Sequence, residues 1–114
     1  MFEERTVPFY DPTNRTSKEL VPGLTIRPFW GENLLVGVVY LEPNTVVPSH
    51  SHPHEQCSYL LEGEMEFILD GERRFLHPGE LVFIPGGTEH SVIAGPQPIR
   101  VLDIFSPVRE DLKF

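Results

Sequence analysis

Short runs of apolar residues, separated by turn residues, fill the chain from residue 24 onward. The alternation is clearest at Met65, Phe67 and Leu69, which occupy every second position of a segment that also holds Glu64, Glu66 and Asp70. Successive side chains on a strand point to opposite faces, so this pattern predicts a strand with one buried and one wet face. The predicted strands are Leu24 to Trp30, Leu34 to Leu41, Val46 to His52, Gln56 to Leu61, Glu64 to Asp70, Arg73 to Leu76, Leu81 to Ile84, His90 to Ile93 and Ile99 to Phe105.

Turn residues separate all of these segments. The chain has 12 prolines and 9 glycines in 114 residues, which leaves no room for a long helix. Many short antiparallel strands close naturally into a jelly-roll sandwich or barrel. We therefore predict an all-β jelly-roll barrel over residues 23–114, as a single domain. Residues 1–22 hold three prolines and show no sustained periodicity, which predicts an extended arm that lies over the barrel or reaches a partner subunit.

The charge balance narrows the kinds of partner. With 17 acidic and 9 basic side chains the net charge is -8, which disfavours nucleic acid and anionic membranes and favours a small molecule. No apolar stretch follows a basic one near the N-terminus, and the longest apolar run is far shorter than a membrane span. We expect a soluble cytoplasmic protein. The single cysteine, Cys57, lies in a predicted strand and is expected to be a structural thiol.

Three of the five histidines lie in one short segment, Ser49 to Gln56. Side chains two apart on a strand share a face, so His50 and His52 can direct two imidazoles to one point. Pro53 interrupts the strand, and a new strand near Gln56 can return a third ligand beside them. For His54 and His77, which lie next to turn prolines, we expect surface or hydrogen-bonded side chains.

The spacing of these residues carries a family resemblance. The segment His50-x-His52-x3-Gln56-x6-Gly63 resembles the first cupin motif, and Gly79-x5-Pro85-x-Gly87-x2-His90 resembles the second, in the same order. The resemblance implies a cupin barrel that binds one divalent metal ion through His50, His52, Gln56 and His90. The ion could be nickel, zinc, manganese or iron. Ala94 replaces a frequent asparagine of the second motif, and Gln56 replaces the usual glutamate.

The glutamine has an electrostatic consequence. Three neutral imidazoles and a neutral amide leave the double charge of a divalent metal uncompensated, so the site should favour an anionic ligand or transition state. Glu55 is the alternative fourth ligand. Only Gln56 has the six-residue gap to Gly63, and this spacing favours Gln56.

A carboxylate stands in an apolar row near the C-terminus. Asp103 shares a predicted strand face with Val101 and Phe105. A buried carboxylate is costly unless it is paired or hydrogen-bonded, and such groups concentrate at functional sites. Arg109 is the candidate partner. The alternative is an ion pair between Asp103 and Arg109 that only fastens the tail.

The pattern Asp-x-Phe-x3-Arg, combined with the His-His-Gln-His set, resembles the KdgF group of cupins. That resemblance implies an enzyme of pectin and alginate breakdown that converts 4,5-unsaturated uronates to linear keto acids. It implies catalytic roles for Asp103, Phe105 and Arg109, an anionic sugar acid as substrate and, as in many small cupins, a homodimer. Two other functions on the same fold remain open. One is a metal-dependent dioxygenase, and the other is a non-catalytic sensor of sugar acids.

Overall fold

The computed structural model describes residues 9–114, and within them it contains ten strands and two short 3-10 helices. The strands are β1 (Lys18–Val21), β2 (Leu24–Trp30), β3 (Leu35–Leu41), β4 (Val46–His50), β5 (Glu55–Glu62), β6 (Met65–Leu69), β7 (Glu72–Leu76), β8 (Leu81–Ile84), β9 (His90–Ala94) and β10 (Ile99–Ser106), and the helices are Pro12–Asn14 and Glu110–Leu112. All nine predicted strands are confirmed, with ends that differ by at most two residues.

The strands form two antiparallel sheets, as predicted for a jelly roll. One sheet has the order β1-β2-β3-β10-β5-β8, and the other has the order β4-β9-β6-β7. Apolar side chains from alternate strand positions of both sheets form one core between them. Its fully buried members include Ile26, Leu35, Leu41, Leu60, Ile84 and Ile99. Among the described residues, no helix has the length and apolar character needed to cross a membrane.

Part of the predicted N-terminal arm joins a sheet. Strand β1 pairs with β2, although its largely exposed residues lack the alternation that predicts a strand. Backbone pairing at a sheet edge therefore forms this strand, with little help from burial. Arg15 donates from Nε to the carbonyl of Pro28 over 2.9 Å and holds the preceding segment against β2. Residues 1–8 of the arm lie outside the described residues, and the arm as a separate region remains a prediction.

Strand register brings the predicted site residues together. Strand β10 lies between β3 and β5, with Asp103 opposite Ser58 and Phe105 opposite Gln56. In the other sheet, His50 of β4 lies opposite His90 of β9. Residues directly opposite each other on paired strands lie close together when their side chains share a face. The polar side chains of both sheets therefore lie at one end of the core.

The glycine of the first motif fits a crowded turn. Gly63 has a φ of +85°, which side-chain-bearing residues rarely adopt. A Cβ at this position would lie 2.5 Å from the carbonyl oxygen of Pro98. Only glycine therefore lets the β5–β6 turn pack against the segment that leads into β10.

Candidate metal centre

Three histidines converge at one end of the core. The ligand atoms of His50, His52 and His90 lie within 4.8 Å of one another. The ring centroids of His50 and His90 are 4.2 Å apart, and those of His52 and His90 are 5.0 Å apart. Three imidazoles this close are within reach of a single metal ion.

His52 does not lie on a strand, and the predicted extension of β4 to this residue is wrong. The strand ends at His50, and residues 51–54 form a loop before β5. The loop is fixed from the second motif, since the backbone N–H of Gly87 donates to the carbonyl of His52 over 2.7 Å. His52 therefore lies beside His50 through a loop that this contact holds, and strand alternation does not place it there.

Each of the three rings has a backbone carbonyl at Nδ1. The distances are 2.8 Å from His50 to Pro48, 3.0 Å from His52 to His54, and 2.9 Å from His90 to Thr88. A carbonyl oxygen only accepts, so Nδ1 carries the proton in each neutral ring and Nε2 keeps its lone pair. Histidines that bind metals are oriented by hydrogen bonds of this kind at the second nitrogen.

The lone pair of His90 has no partner within the described chain. Its Nε2 is buried and makes no hydrogen bond, and the side chain is only 3% exposed. Burial lowers the pKa of His90 to about 4, so the ring is neutral near pH 7. An unsatisfied buried nitrogen costs about 1–3 kcal/mol. A metal ion at this point would satisfy it, so the residues present fit the metal that the motifs imply.

Gln56 is the fourth polar group at this point. It is buried on the inner face of β5, and its Oε1 lies 2.9 Å from Nε2 of His52. Burial lowers the pKa of His52, which leaves this ring neutral too. Two acceptor atoms then face each other, an arrangement that a cation between them would stabilise. Glu55, the alternative ligand, is exposed on the opposite face of β5.

A hydrogen-bond chain joins Gln56 to Asp103 through a residue that the sequence analysis missed. The amide nitrogen of Gln56 donates to Oγ of Ser58 over 2.9 Å, and Ser58 donates to Oδ1 of Asp103 over 2.6 Å. Ser58 stands two positions after Gln56, so the alternation of a strand places both side chains on the same face. This was the one feature of the sequence that could have identified Ser58 as a site residue. Its pairing with Asp103 depends on the register of β5 and β10, which a single sequence does not reveal.

Asp103 and Arg109 both reach the site without forming the ion pair that was considered. Arg109 binds Asp111 instead, with Nη2 2.7 Å from Oδ2 and Nε 3.3 Å from Oδ1. Burial raises the pKa of Asp103 to about 6, against the opposing effects of hydrogen bonds from Ser58 and Gln56 and the charges of His50 and Arg109. The carboxyl group is therefore held near the histidines by hydrogen bonds and not by a salt bridge.

Phe105 lies between the histidine cluster and Arg109. Its ring meets the ring of His52 edge to face at 5.6 Å between centroids, and the guanidinium carbon of Arg109 lies 5.0 Å from its centroid. The side chain is buried. This contact fixes one wall of the site and holds the cation over an aromatic face.

These groups line a cavity of about 100 Å³ between the sheets. Apolar side chains such as Val47, Phe67 and Val101 form much of its wall. The polar lining residues are His50, Gln56, Ser58, His90, Asp103 and Arg109. A small molecule in this cavity would meet the imidazoles of His50 and His90, a carboxyl group and a guanidinium group at once.

The two remaining histidines differ from each other. His77 is exposed and lies between the carboxylates of Glu64 and Glu80. His54 is half-buried, and its Nδ1 has no hydrogen-bond partner among the described residues. The backbone carbonyl of His54 accepts a hydrogen bond from Nδ1 of His52 and so helps to orient that ring.

Comparison with known proteins shows the same architecture elsewhere. A cupin domain model matches residues 37–105. KdgF from Halomonas sp. is 29% identical with a TM-score of 0.88, covering 95% of this chain and 100% of that one. An RmlC-like cupin from Shewanella frigidimarina is 26% identical with a TM-score of 0.86, covering 92% and 95%. The polyketide cyclase RemF from Streptomyces resistomycificus is 28% identical with a TM-score of 0.77, covering 90% and 80%. No curated protein matches the sequence.

Proposed function

The chain belongs to the cupin family, and from that premise we propose that it is a metal-dependent enzyme that opens 4,5-unsaturated uronates to linear keto acids. One observation carries the proposal. His50, His90, Asp103 and Arg109 line the same cavity, so a metal-binding cluster, a proton-transfer group and an anion-binding group surround one small volume. The structural likeness to KdgF from Halomonas sp. agrees with the sequence resemblance to the KdgF group, and that resemblance implies substrates derived from pectin or alginate.

In this proposal His50, His52, Gln56 and His90 hold one divalent ion, which could be nickel, zinc, manganese or iron. When bound, the ion supplies Lewis-acid stabilisation of negative charge on substrate oxygens. The four protein ligands are neutral, so they leave the charge of the ion available to an anionic substrate. No redox step is required of the ion.

Asp103 is the proposed proton-transfer group. Ring opening removes the proton of the C1 hydroxyl, breaks the bond between C1 and the ring oxygen, and adds a proton at C4. The electron pair of the broken bond goes to the former ring oxygen, and the resulting enolate becomes a ketone when C4 is protonated. Asp103 could take the first proton and deliver it to C4, so the reaction balances as an isomerisation without added reactants.

Arg109 and Phe105 have supporting roles in this proposal. Asp111 occupies Nε and Nη2 of Arg109, so Nη1 can donate to the substrate carboxylate. Asp111 thereby orients the guanidinium group. Phe105 supplies an apolar wall that keeps water from the ring carbons and holds Arg109 in place.

A second candidate function is the cyclisation of a polyketide. RemF is nearly as similar in sequence as KdgF, and the largely apolar cavity wall would accept a less polar substrate than a sugar acid. The guanidinium group at the cavity favours the uronate, since it would otherwise lie beside an uncharged substrate.

The homodimer also remains a proposal. Leu81 and Phe83 on β8 are exposed at the edge of the six-stranded sheet, and Leu61 of β5 is exposed beside them. Exposed apolar patches of this kind mark contact surfaces on proteins. Sedimentation velocity of the wild type and of Phe83→Ser tests it. A monomeric wild type would refute the dimer.

The test of the activity is an ultraviolet assay with the metal-loaded protein. Unsaturated galacturonate and guluronate each absorb through the C4–C5 double bond, and ring opening removes that absorbance. Loss of absorbance that depends on metal and on Asp103 supports the proposal. If both substrates stay unchanged while the protein holds its metal, the uronate assignment fails.

A further inference from the structure

We propose that Ser58 is a positioning residue that determines which end of the Gln56 amide faces the histidine cluster. The inference rests on the proposed metal centre but not on uronate chemistry. Ser58 lines the same cavity, but its hydroxyl hydrogen-bonds Gln56 and Asp103 and none of the three histidines. It would act only through the orientation of Gln56.

The direction of the hydrogen-bond chain supports this role. Oγ of Ser58 lies 2.6 Å from Oδ1 of Asp103 and donates to it. The hydroxyl of Ser58 has one proton, which it donates to Asp103, so toward Gln56 it can only accept. Only the nitrogen end of an amide can donate, and the 2.9 Å contact therefore belongs to Nε2. The oxygen is left on the side of His52.

Orientation matters for a glutamine because its two ends differ. Oε1 has lone pairs for a metal, whereas the Nε2 of a neutral amide offers only hydrogens. A flip of the side-chain amide would place its two N–H groups against the histidine cluster. A glutamate, the usual residue of the cupin pattern at this position, has two equivalent oxygens and needs no such selection.

The surroundings of Ser58 make the orientation rigid. Its side chain is 2% exposed, and it lies in the middle of β5, directly opposite Asp103 on β10. The pairing of β5 with β10 fixes the positions of Gln56, Ser58 and Asp103, the three side chains of the hydrogen-bond chain. The competing explanation is an ordinary core serine that satisfies Asp103 and leaves metal binding unchanged.

A double-mutant cycle on zinc affinity separates these explanations. The proteins are wild type, Ser58→Ala, Gln56→Glu and the double variant, each titrated with zinc against a chromophoric chelator. Loss of a residue that orients a metal ligand costs roughly 10- to 100-fold in affinity. We expect Ser58→Ala to lower zinc affinity about tenfold when residue 56 is glutamine. In the Gln56→Glu protein the same change should have little effect, because either oxygen can face the metal.

Ser58→Thr keeps the hydroxyl and should retain most of the wild-type affinity, which separates loss of the hydrogen bond from loss of packing. Circular dichroism and thermal melting check that each variant is folded. An equal loss from Ser58→Ala with either residue at 56, or no loss with glutamine, would overturn the proposal. No uronate is present in this experiment. A failure of the proposed activity would therefore leave these affinities unchanged, and the two outcomes are distinguishable.

Discussion

Oε1 of Gln56 lies 2.9 Å from Nε2 of His52, and Nε2 is an acceptor in the neutral ring because Nδ1 faces the carbonyl of His54. His52 donates from its other nitrogen to a backbone carbonyl, and Gln56 donates from its amide to Ser58. Nδ1 of His52 and the amide nitrogen of Gln56 therefore each have a hydrogen-bond acceptor. The lone pairs of Oε1 and Nε2 face each other without a donor between them. That relationship, together with the unpartnered Nε2 of His90, is the strongest indication of a cation site in the described residues.

Removal of a histidine ligand should remove the metal and not the fold. We expect His90→Ala to lose stoichiometric metal, since His90 Nε2 faces the centre, while the core between the sheets keeps the protein folded. Elemental analysis of protein loaded with zinc or nickel measures the metal content. His77→Ala, at an exposed histidine, is the matched control and should bind as the wild type does. Full metal content in His90→Ala would refute its role as a ligand.

Loss of the carboxylate at residue 103 should affect turnover far more than metal content. Asp103→Asn keeps the shape of the side chain but removes the proton-transfer group. Turnover should fall by roughly two to four orders of magnitude, the contribution of general acid–base catalysis. Asp70→Asn, the same exchange on the surface, serves as the control. Normal turnover of Asp103→Asn would leave Asp103 with only a structural role.

The charge of residue 56 should govern anion binding. Gln56→Glu retains an oxygen for the metal, so metal content should stay intact, but the net charge of the centre falls by one. Turnover should fall by about an order of magnitude, which corresponds to about 1.4 kcal/mol of barrier, and an anionic substrate should bind more weakly. Glu55→Gln on the outer face is the control. Equal activity of Gln56→Glu and wild type on unsaturated uronates would contradict the role assigned to the neutral amide.

Arg109 should contribute mainly to substrate binding. A hydrogen bond to a charged group contributes about 1.5–3 kcal/mol, so Arg109→Met should raise KM by roughly 10- to 100-fold. Met preserves much of the apolar contact with Phe105. Arg74→Met, in an exposed ion pair on β7, is the control. A change in kcat alone, with KM unaltered, would place Arg109 outside substrate binding.

Oxygen dependence separates ring opening from the dioxygenase alternative. Ring opening is an isomerisation, so the zinc-loaded protein should turn over uronate equally well with and without oxygen. An oxygen electrode and an anaerobic repeat of the assay measure this. Oxygen uptake in proportion to substrate loss would favour the dioxygenase.

Local patterns predicted the fold well because the strands of a jelly roll are short and bounded by glycine and proline. The strand ends agree within two residues, and β1 was missed because edge pairing, not alternation, forms it. In the site, His50 and His90 followed from motif spacing and are opposed in the sheet. Spacing could not show that His52 lies in a loop held by Gly87.

The contacts of the C-terminal residues depend on register and tail geometry, which the sequence does not display. The sequence offers Arg109 as a candidate partner of Asp103, yet the 3-10 helix after β10 brings Asp111 to the guanidinium group instead. Asp103 accepts a hydrogen bond from Ser58, which lies 45 residues earlier in the chain and is adjacent only through the pairing of β5 with β10. Motif spacing therefore could not predict contacts between side chains on neighbouring strands.

The most direct test of the proposed function measures the rate at which the absorbance of the C4–C5 double bond of unsaturated galacturonate disappears. Three protein preparations are compared. These are metal-loaded wild type, the same protein after removal of metal by a chelator, and metal-loaded Asp103→Asn. We expect rapid loss with the first and loss near the uncatalysed rate with the other two, with a linear keto acid identified by NMR. Equal rates in all three preparations would contradict a metal-dependent ring-opening enzyme.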